Sequence, residues 1–110
     1  MLEIETGMEE DIGIIRPEGR LDAASSTLLD AAFERLIGEG VAIIILDAER
    51  LLYTSSSGLR VLLSAQKRLK QVGGEVRIAA LRPEVDAVLT MTGLTSIFTI
   101  RESVSEALSG

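Results

Sequence analysis

The feature that most constrains the fold is an uninterrupted apolar segment in the middle of the chain. Residues Val41–Leu46 read VAIIIL, and most of them are branched at the β carbon. Such residues favour strands, and a strand that is apolar on both faces needs a covering layer on each side of its sheet. The segment is far too short to cross a bilayer as a helix. We therefore expect a central strand in a helix-covered sheet, and no membrane partner.

The N-terminal residues predict a β-hairpin. Apolar and acidic residues alternate from Leu2 to Glu5, which is the pattern of a half-buried strand. The acidic stretch Gly7–Asp11 has the composition of a turn, and Ile12–Arg16 resumes as a second strand. Pro17 has no N–H to donate to a neighbouring strand, so the second strand should end near it or carry it at an unpaired position.

Apolar residues three and four positions apart predict about four helices after the hairpin. Their starts carry the residue types that begin helices, which are small hydroxyl residues, Asp and Pro. In chain order these starts are expected at Asp22, Ser25 or Ser26, at the hydroxyl residues before Gly58, at Pro83 and at Ser103. Short strands separate the helices and give the order β-β-α-β-α-β-α-β-α. We expect a single α/β domain over residues 1–110 with a mixed, largely parallel sheet.

Charge and composition exclude several classes of function. Lys plus Arg total 11 and Asp plus Glu total 17, and the resulting net charge of −6 repels nucleic acid. The chain contains no Cys and no His, which removes thiolate metal sites, the commonest metal ligand and the commonest general base. Its acidic N-terminus lacks the positive start of a secretory signal. We expect a cytoplasmic protein that binds no nucleic acid and no metal and uses no cofactor.

Four consecutive hydroxyl residues, Thr54–Ser57, precede Gly58 and a strongly apolar helix. One interpretation is helix capping, because Ser and Thr at a helix start accept hydrogen bonds from free backbone N–H groups. Capping needs only one or two such residues. The other interpretation is phosphorylation, since a helix start carries about half a positive elementary charge and binds phosphate through its free N–H groups. From the residues alone, both interpretations stay open.

Three segments together resemble the STAS family, the sulphate transporter and anti-sigma factor antagonist domain, in its free-standing bacterial form. Residues Glu18–Leu36 are similar to the Gly-x-Leu-Asp stretch that leads into its first helix. Residues Val41–Leu63 resemble its central strand, Asp-containing loop and phosphoacceptor helix. Residues Met91–Leu108 resemble its closing Thr-Gly-Leu motif, short strand and last helix. With the hairpin, the resemblance covers nearly the whole chain and implies a STAS-like fold.

The resemblance implies an anti-sigma factor antagonist, which is a binding protein and not an enzyme. In that family the antagonist binds an anti-sigma factor that is also a serine kinase, and phosphorylation of a serine two positions before the helix-start glycine releases it. Aligned on Gly58, the implied phosphoacceptor is Ser56, with Ser55 and Ser57 less favoured. In that family a PP2C-type phosphatase then resets the antagonist, so the resemblance implies such a phosphatase as a second partner. The implied partner-binding residues are Asp22, Thr54, Ser55, Ser57, Gly58, Leu59 and Arg60.

One position departs from the family pattern. Many members have Asp immediately before the phosphoacceptor, where this chain has Ser55. The difference leaves open which serine is modified, and whether the domain is instead a non-switching scaffold or adaptor in a stressosome-like or secretion-control complex. An enzyme with Ser56 as its nucleophile is disfavoured, because Lys67 and Lys70 lie more than two helical turns beyond that serine.

Overall fold

The computed structural model describes all 110 residues of the chain. The strands are β1 Leu2–Glu9, β2 Ile12–Leu21, β3 Ile43–Asp47, β4 Leu51–Thr54, β5 Glu75–Ala79 and β6 Thr99–Arg101. The helices are α1 Ser26–Gly38, α2 Ser56–Lys70, α3 Pro83–Met91 and α4 Val104–Leu108, with a short 3₁₀ helix at Leu94–Ser96. None of these helices has the length and apolar character needed to pass through a membrane.

All the strands belong to one mixed, six-stranded sheet. Its order is β1-β2-β3-β5-β6, and β4 also pairs with β2. The β1–β2 hairpin is antiparallel, whereas every other strand pair is parallel. Because parallel neighbours need long connections, α1 and α2 serve as crossovers between strands of the sheet. The predicted α/β class, with a largely parallel sheet, an N-terminal hairpin and about four helices, is confirmed.

The sheet separates a large core from a small one. On one face, 21 buried residues pack together, most of them from the sheet and from α1, α2 and α3, and they include Ile44 and Leu46 of β3. On the other face, Ile45 of the same strand belongs to a cluster of four buried residues with Ala107 of α4. Neighbouring residues of a strand point to opposite faces, so the segment VAIIIL contributes to both cores. The expected cover on both sides of this strand is confirmed.

β2 passes through Pro17 without a break. Residues Ile12–Ile15 pair with β3 and residues Gly19–Leu21 pair with β4, so Pro17 lies in the interval where β2 pairs with neither strand. Two residues later, the N–H of Gly19 donates to the C=O of Arg50 at 2.9 Å. The missing N–H of Pro17 therefore interrupts no ladder on that side. The strand does not end at Pro17, so that alternative is wrong. The unpaired position is confirmed on the side of β3 and β4 only, because Pro17 pairs with Ile4 of β1 on its other side.

Two local expectations need correction. β1 continues to Glu9, so the hairpin turn consists of Glu10 and Asp11 alone and is shorter than the predicted Gly7–Asp11. Glu10 adopts a left-handed backbone conformation with φ 56°, which few residues other than glycine favour. Residues Leu51–Thr54, expected in a loop, instead form β4 beside β2. This additional strand determines where α2 begins.

A buried amide fixes α2 against the sheet. Gln66 is only 5% exposed, and its Oε1 accepts from the N–H of Val76 at 2.6 Å. Its Nε2 donates to the C=O of Ile97 at 2.8 Å. Buried polar groups almost always need partners, so the bond to Val76 satisfies a backbone N–H that is cut off from water, and both bonds satisfy the buried amide itself. Gln66 thus holds the middle of α2 at one height above β5.

Replacing Gln66 with Leu should destabilise the fold. The variant leaves the buried N–H of Val76 without an acceptor, so we expect the free energy of unfolding to fall by about 2 kcal/mol. The control, Gln71→Leu at the exposed end of the same helix, should change it by less than about 0.5 kcal/mol. Urea denaturation followed by circular dichroism compares the two variants. Equal losses in both would contradict a structural role for the buried amide.

Candidate functional site

The first turn of α2 starts beside the end of β2. The N–H of Ser55 donates to the C=O of Leu21 at 2.8 Å, which extends the pairing of β2 and β4 by one residue. Ser55 is the N-cap residue of α2, because its Oγ accepts from the N–H of Gly58 at 3.4 Å. Its C=O accepts from the N–H of Leu59 at 3.1 Å. The capping interpretation of the hydroxyl run is therefore confirmed for Ser55.

The other hydroxyl residues of the run lie in different surroundings. Thr54 is 4% exposed, and its hydroxyl donates to the C=O of Ser55 at 3.1 Å. Ser57 is partly buried, whereas Ser56 is exposed. Neither of these two hydroxyls is hydrogen-bonded within the protein, so exposure is what distinguishes them. Ser56 carries the hydroxyl of this run that solvent reaches most freely.

This end of α2 is electropositive. The N–H groups of Ser56 and Ser57 have no acceptor within the protein, and the first turn contains no acidic residue. Unpaired N–H groups and the aligned peptide dipoles give a helix start about half a positive elementary charge. The exposed Arg60 lies four residues beyond Ser56, a spacing that puts two side chains on the same face of a helix. This arrangement stabilises a negatively charged group added at the start of α2.

Gly58 permits α2 to approach β2 closely. A Cβ atom at this position would lie 2.5 Å from Oγ1 of Thr54 and 2.6 Å from Cδ2 of Leu21, both inside the 3.0 Å that real Cβ atoms respect. Leu59 packs beside this contact and is 7% exposed. Thr54, Gly58 and Leu59 therefore form the buried floor of the site. Among the residues predicted to bind a partner, these three position the exposed ones and offer little surface of their own.

Asp22 lies next to the start of α2 because it directly follows Leu21 in the chain. The C=O of Leu21 accepts from the N–H of Ser55. Its carboxylate accepts from the N–H of Ser25 at 2.9 Å and from the hydroxyl of Ser25 at 2.8 Å. These two bonds, the backbone bond above all, hold the pKa of Asp22 below its ordinary value of 3.8. Of the three residues expected to cap the start of α1, Ser25 stands at the N-cap position, but none of the three accepts a hydrogen bond from the helix through its side chain. Asp22 instead holds the turn that precedes the helix.

The structure adds a surface pair that the sequence pattern does not predict. Arg20 of β2 and Tyr53 of β4 are register partners, and the guanidinium carbon lies 4.2 Å from the centre of the tyrosine ring. At that distance a cation is attracted to the face of the ring. Tyr53 is 38% exposed and the adjacent Leu52 is 49% exposed, so β4 presents apolar surface next to the start of α2. The pair depends on β4, where the sequence pattern predicts a loop.

Comparison with known proteins identifies the family. Residues 3–107 match the sequence model of the STAS domain. The chain belongs to the STAS domain family. The resemblance carried by the three sequence segments is thereby confirmed.

Two relatives of this STAS domain are named for a regulatory role. The chain is 37% identical over 86 residues to BtrV of Bordetella bronchiseptica, a candidate anti-sigma factor antagonist, which covers 78% of the chain and 74% of BtrV. It is 33% identical over an alignment of 112 residues to the anti-sigma F factor antagonist of Paenibacillus polymyxa, which covers 98% and 93% of the two chains. This STAS domain therefore falls among the anti-sigma factor antagonists, whose role is regulatory.

SpoIIAA, an anti-sigma factor antagonist, has a similar structure in both of its phosphorylation states. Its unphosphorylated form superposes with a TM-score of 0.85 at 26% identity, covering 96% of this chain and 93% of SpoIIAA. The phosphorylated form of the Bacillus protein superposes with a TM-score of 0.77 at 25% identity, covering 97% of both chains. The same fold therefore accommodates the phosphorylated and the unphosphorylated protein.

Replacing Gly58 with Ala should push α2 away from β2. The new methyl group would overlap Leu21 and Thr54, so we expect the free energy of unfolding to fall by about 1–3 kcal/mol. Gly38→Ala at the end of α1 is the control, because the methyl group added there would meet nothing within 4 Å. That variant should gain up to about 1 kcal/mol from the lower entropy of its unfolded chain. Changes of the same sign in both would contradict the close contact.

An NMR pH titration should place the pKa of the Asp22 carboxyl below 3.8, and Ser25→Ala should raise it part of the way back. A pKa that is lowered by folding means that these hydrogen bonds stabilise the fold above the ordinary pKa, and that this stability is lost as pH falls through the folded pKa. Ser26→Ala is the control, because that hydroxyl donates only to the C=O of Ala23. An Asp22 pKa that is the same in Ser25→Ala and in the wild type would refute the role of the Ser25 hydroxyl.

Proposed function

We propose that this STAS domain binds an anti-sigma factor serine kinase while Ser56 is unmodified and is released when that kinase phosphorylates Ser56. A PP2C-type phosphatase would reset it. The observation that carries the proposal is the state of Ser56, whose exposed hydroxyl makes no hydrogen bond and stands in the first turn of α2 beside free N–H groups. The anti-sigma factor antagonists among its relatives support the same function.

Among the three serines, the local contacts favour Ser56 as the phosphoacceptor. Ser55 caps α2, so transfer of a phosphoryl group to its oxygen would disturb the bond from Gly58. Ser57 is partly buried, so a kinase reaches its hydroxyl less easily. Ser55, which stands where many family members have Asp, therefore keeps the cap, and its oxygen is engaged in that bond. Modification of Ser56 leaves every hydrogen bond of the helix start in place.

Release follows from the electrostatics of a close interface. A phosphoserine adds about −1.5 to −2 of charge at neutral pH. The free N–H groups at the start of α2 compensate part of this charge inside the domain, so the fold is kept. A partner packed over Ser56 would have to remove water from the remaining charge. A loss of about 3 kcal/mol weakens binding about a hundredfold, which is sufficient for a switch.

The arrangement of basic residues argues against catalysis by Ser56 itself. A serine nucleophile needs a general base within hydrogen-bond reach. Lys67 lies 11 positions further along the helix, which corresponds to a rise of about 16 Å. Arg60 is closer, but its guanidinium offers N–H donors and no acceptor for the proton of a serine hydroxyl. Ser56 is therefore better suited to accept a phosphoryl group from a second protein than to act as a nucleophile on a substrate.

The test is mass spectrometry after incubation with Mg-ATP and candidate kinases obtained by pull-down. We expect one phosphate on Ser56, and we expect phosphoserine at this position, installed during synthesis, to weaken kinase binding about a hundredfold. The matched control is phosphoserine at Ser105, another exposed serine in the first turn of a helix, on α4. A phosphate mapped to Ser55 or Ser57 would refute the assignment. Stable kinase binding without any phosphate would instead indicate a scaffold.

A further inference from the structure

Two basic side chains of the protein have no partner, and both lie on α2. Five of the eleven cations form ion pairs with carboxylates: Arg16, Arg50, Arg68, Lys70 and Arg77. The others with a partner are Arg20, which stacks on Tyr53, and Arg35, Arg82 and Arg101, which donate hydrogen bonds. Only Arg60 and Lys67 remain. Their charges are not neutralised by any group of the protein.

These two cations share one face of α2 with Ser56. The positions 56, 60 and 67 differ by four and by seven residues, which are the spacings that align side chains along a helix. All three are exposed, as is Ser64 between them. We call Ser56, Arg60, Ser64 and Lys67 the α2 stripe. It extends over about 16 Å of helix.

The α2 stripe stands out against the charge of the rest of the protein. α2 contains four basic residues and no acidic residue. The remaining residues hold the other seven cations and all 17 acidic side chains, so they carry a net charge of −10. The acidic remainder of the protein therefore repels an acidic molecule, whereas α2 is the one helix or strand that carries several cations and no carboxylate. The charge distribution therefore indicates that a partner binds along α2 and that its contacting surface is acidic.

We infer that the α2 stripe docks an acidic surface of the partner protein, an inference that rests on the proposed function and specifies its contact. Lys67 and Arg60 supply the attraction, and Ser56 lies at one end of the same face. The two free cations carry a charge of +2, and a phosphate on Ser56 adds about −1.5 to −2 to that face. Modification thus cancels the charge that attracts the partner. The switch then acts through attraction lost along the stripe as well as through desolvation at Ser56.

A peptide of six glutamates tests the stripe without any kinase. In a ¹⁵N NMR titration at low ionic strength, its addition should shift amide signals of α2 between residues 56 and 71. Lys67→Gln should weaken this binding roughly two- to fivefold, the range expected for an exposed ion pair. Lys70→Gln is the matched control, because it removes the same charge three residues away from a lysine already paired with Glu75. Salt at about 0.5 M should abolish the shifts.

Kinase binding provides the second arm. The association rate constant of the kinase captured by the wild-type protein should fall with Lys67→Gln and not with Lys70→Gln, and the difference should vanish in high salt. Equal effects of the two variants, on peptide and kinase alike, would overturn the stripe even if Ser56 is phosphorylated. If Lys67→Gln weakens binding and Lys70→Gln does not, but the kinase places no phosphate on Ser56 of the wild-type protein, the α2 stripe is upheld and the proposed switch is overturned.

Discussion

The change of pairing partner along β2 is the constraint on which the rest of the structure depends. β2 first pairs with β3, has no partner on that side at Pro17, and then pairs with β4. Because proline cannot donate a backbone hydrogen bond, a single strand paired with β2 along its whole length would be least stable next to Pro17. β4 restores the pairing further along and ends beside Leu21, so the chain enters α2 at the same point of the sheet where β2 ends.

Two contacts then hold α2 in place independently of its exposed face. Gly58 lets the first turn lie directly against Leu21, and Gln66 bonds the middle of the helix to the backbone of β5 and to Ile97. Neither contact involves the side chain of Ser56. Because the anchors point inward and the candidate site points outward, the charge at the helix start can change without repacking of the core.

Local signals in the sequence predict most of the fold, and tertiary contacts decide the rest. The apolar segment Val41–Leu46 and the helical spacings are strong enough to be read directly. β4 is missed because it is short and because Leu52 is an extra residue at a bulge, which destroys the alternation of a strand. The two-residue turn at Glu10 lacks the Asn-Gly signal of tight hairpins. The hydroxyl run is visible in the sequence, but only the folded structure shows that Thr54 is buried, Ser55 caps the helix and Ser57 is partly buried, which leaves Ser56 as the exposed hydroxyl.

The neutral cap at Ser55 also sets the polarity of the electric field at the start of α2. A helix start contributes about +0.5 of charge, so with a serine cap the field there is positive before modification. A phosphate of about −1.5 to −2 would invert it. With the aspartate of many family members at this position, a carboxylate would already offset the positive charge of the helix start before any modification. Under the proposed phosphorylation of Ser56, the charge of this helix start would change from positive to negative, so a partner could discriminate between the two states at longer range and with fewer contacts.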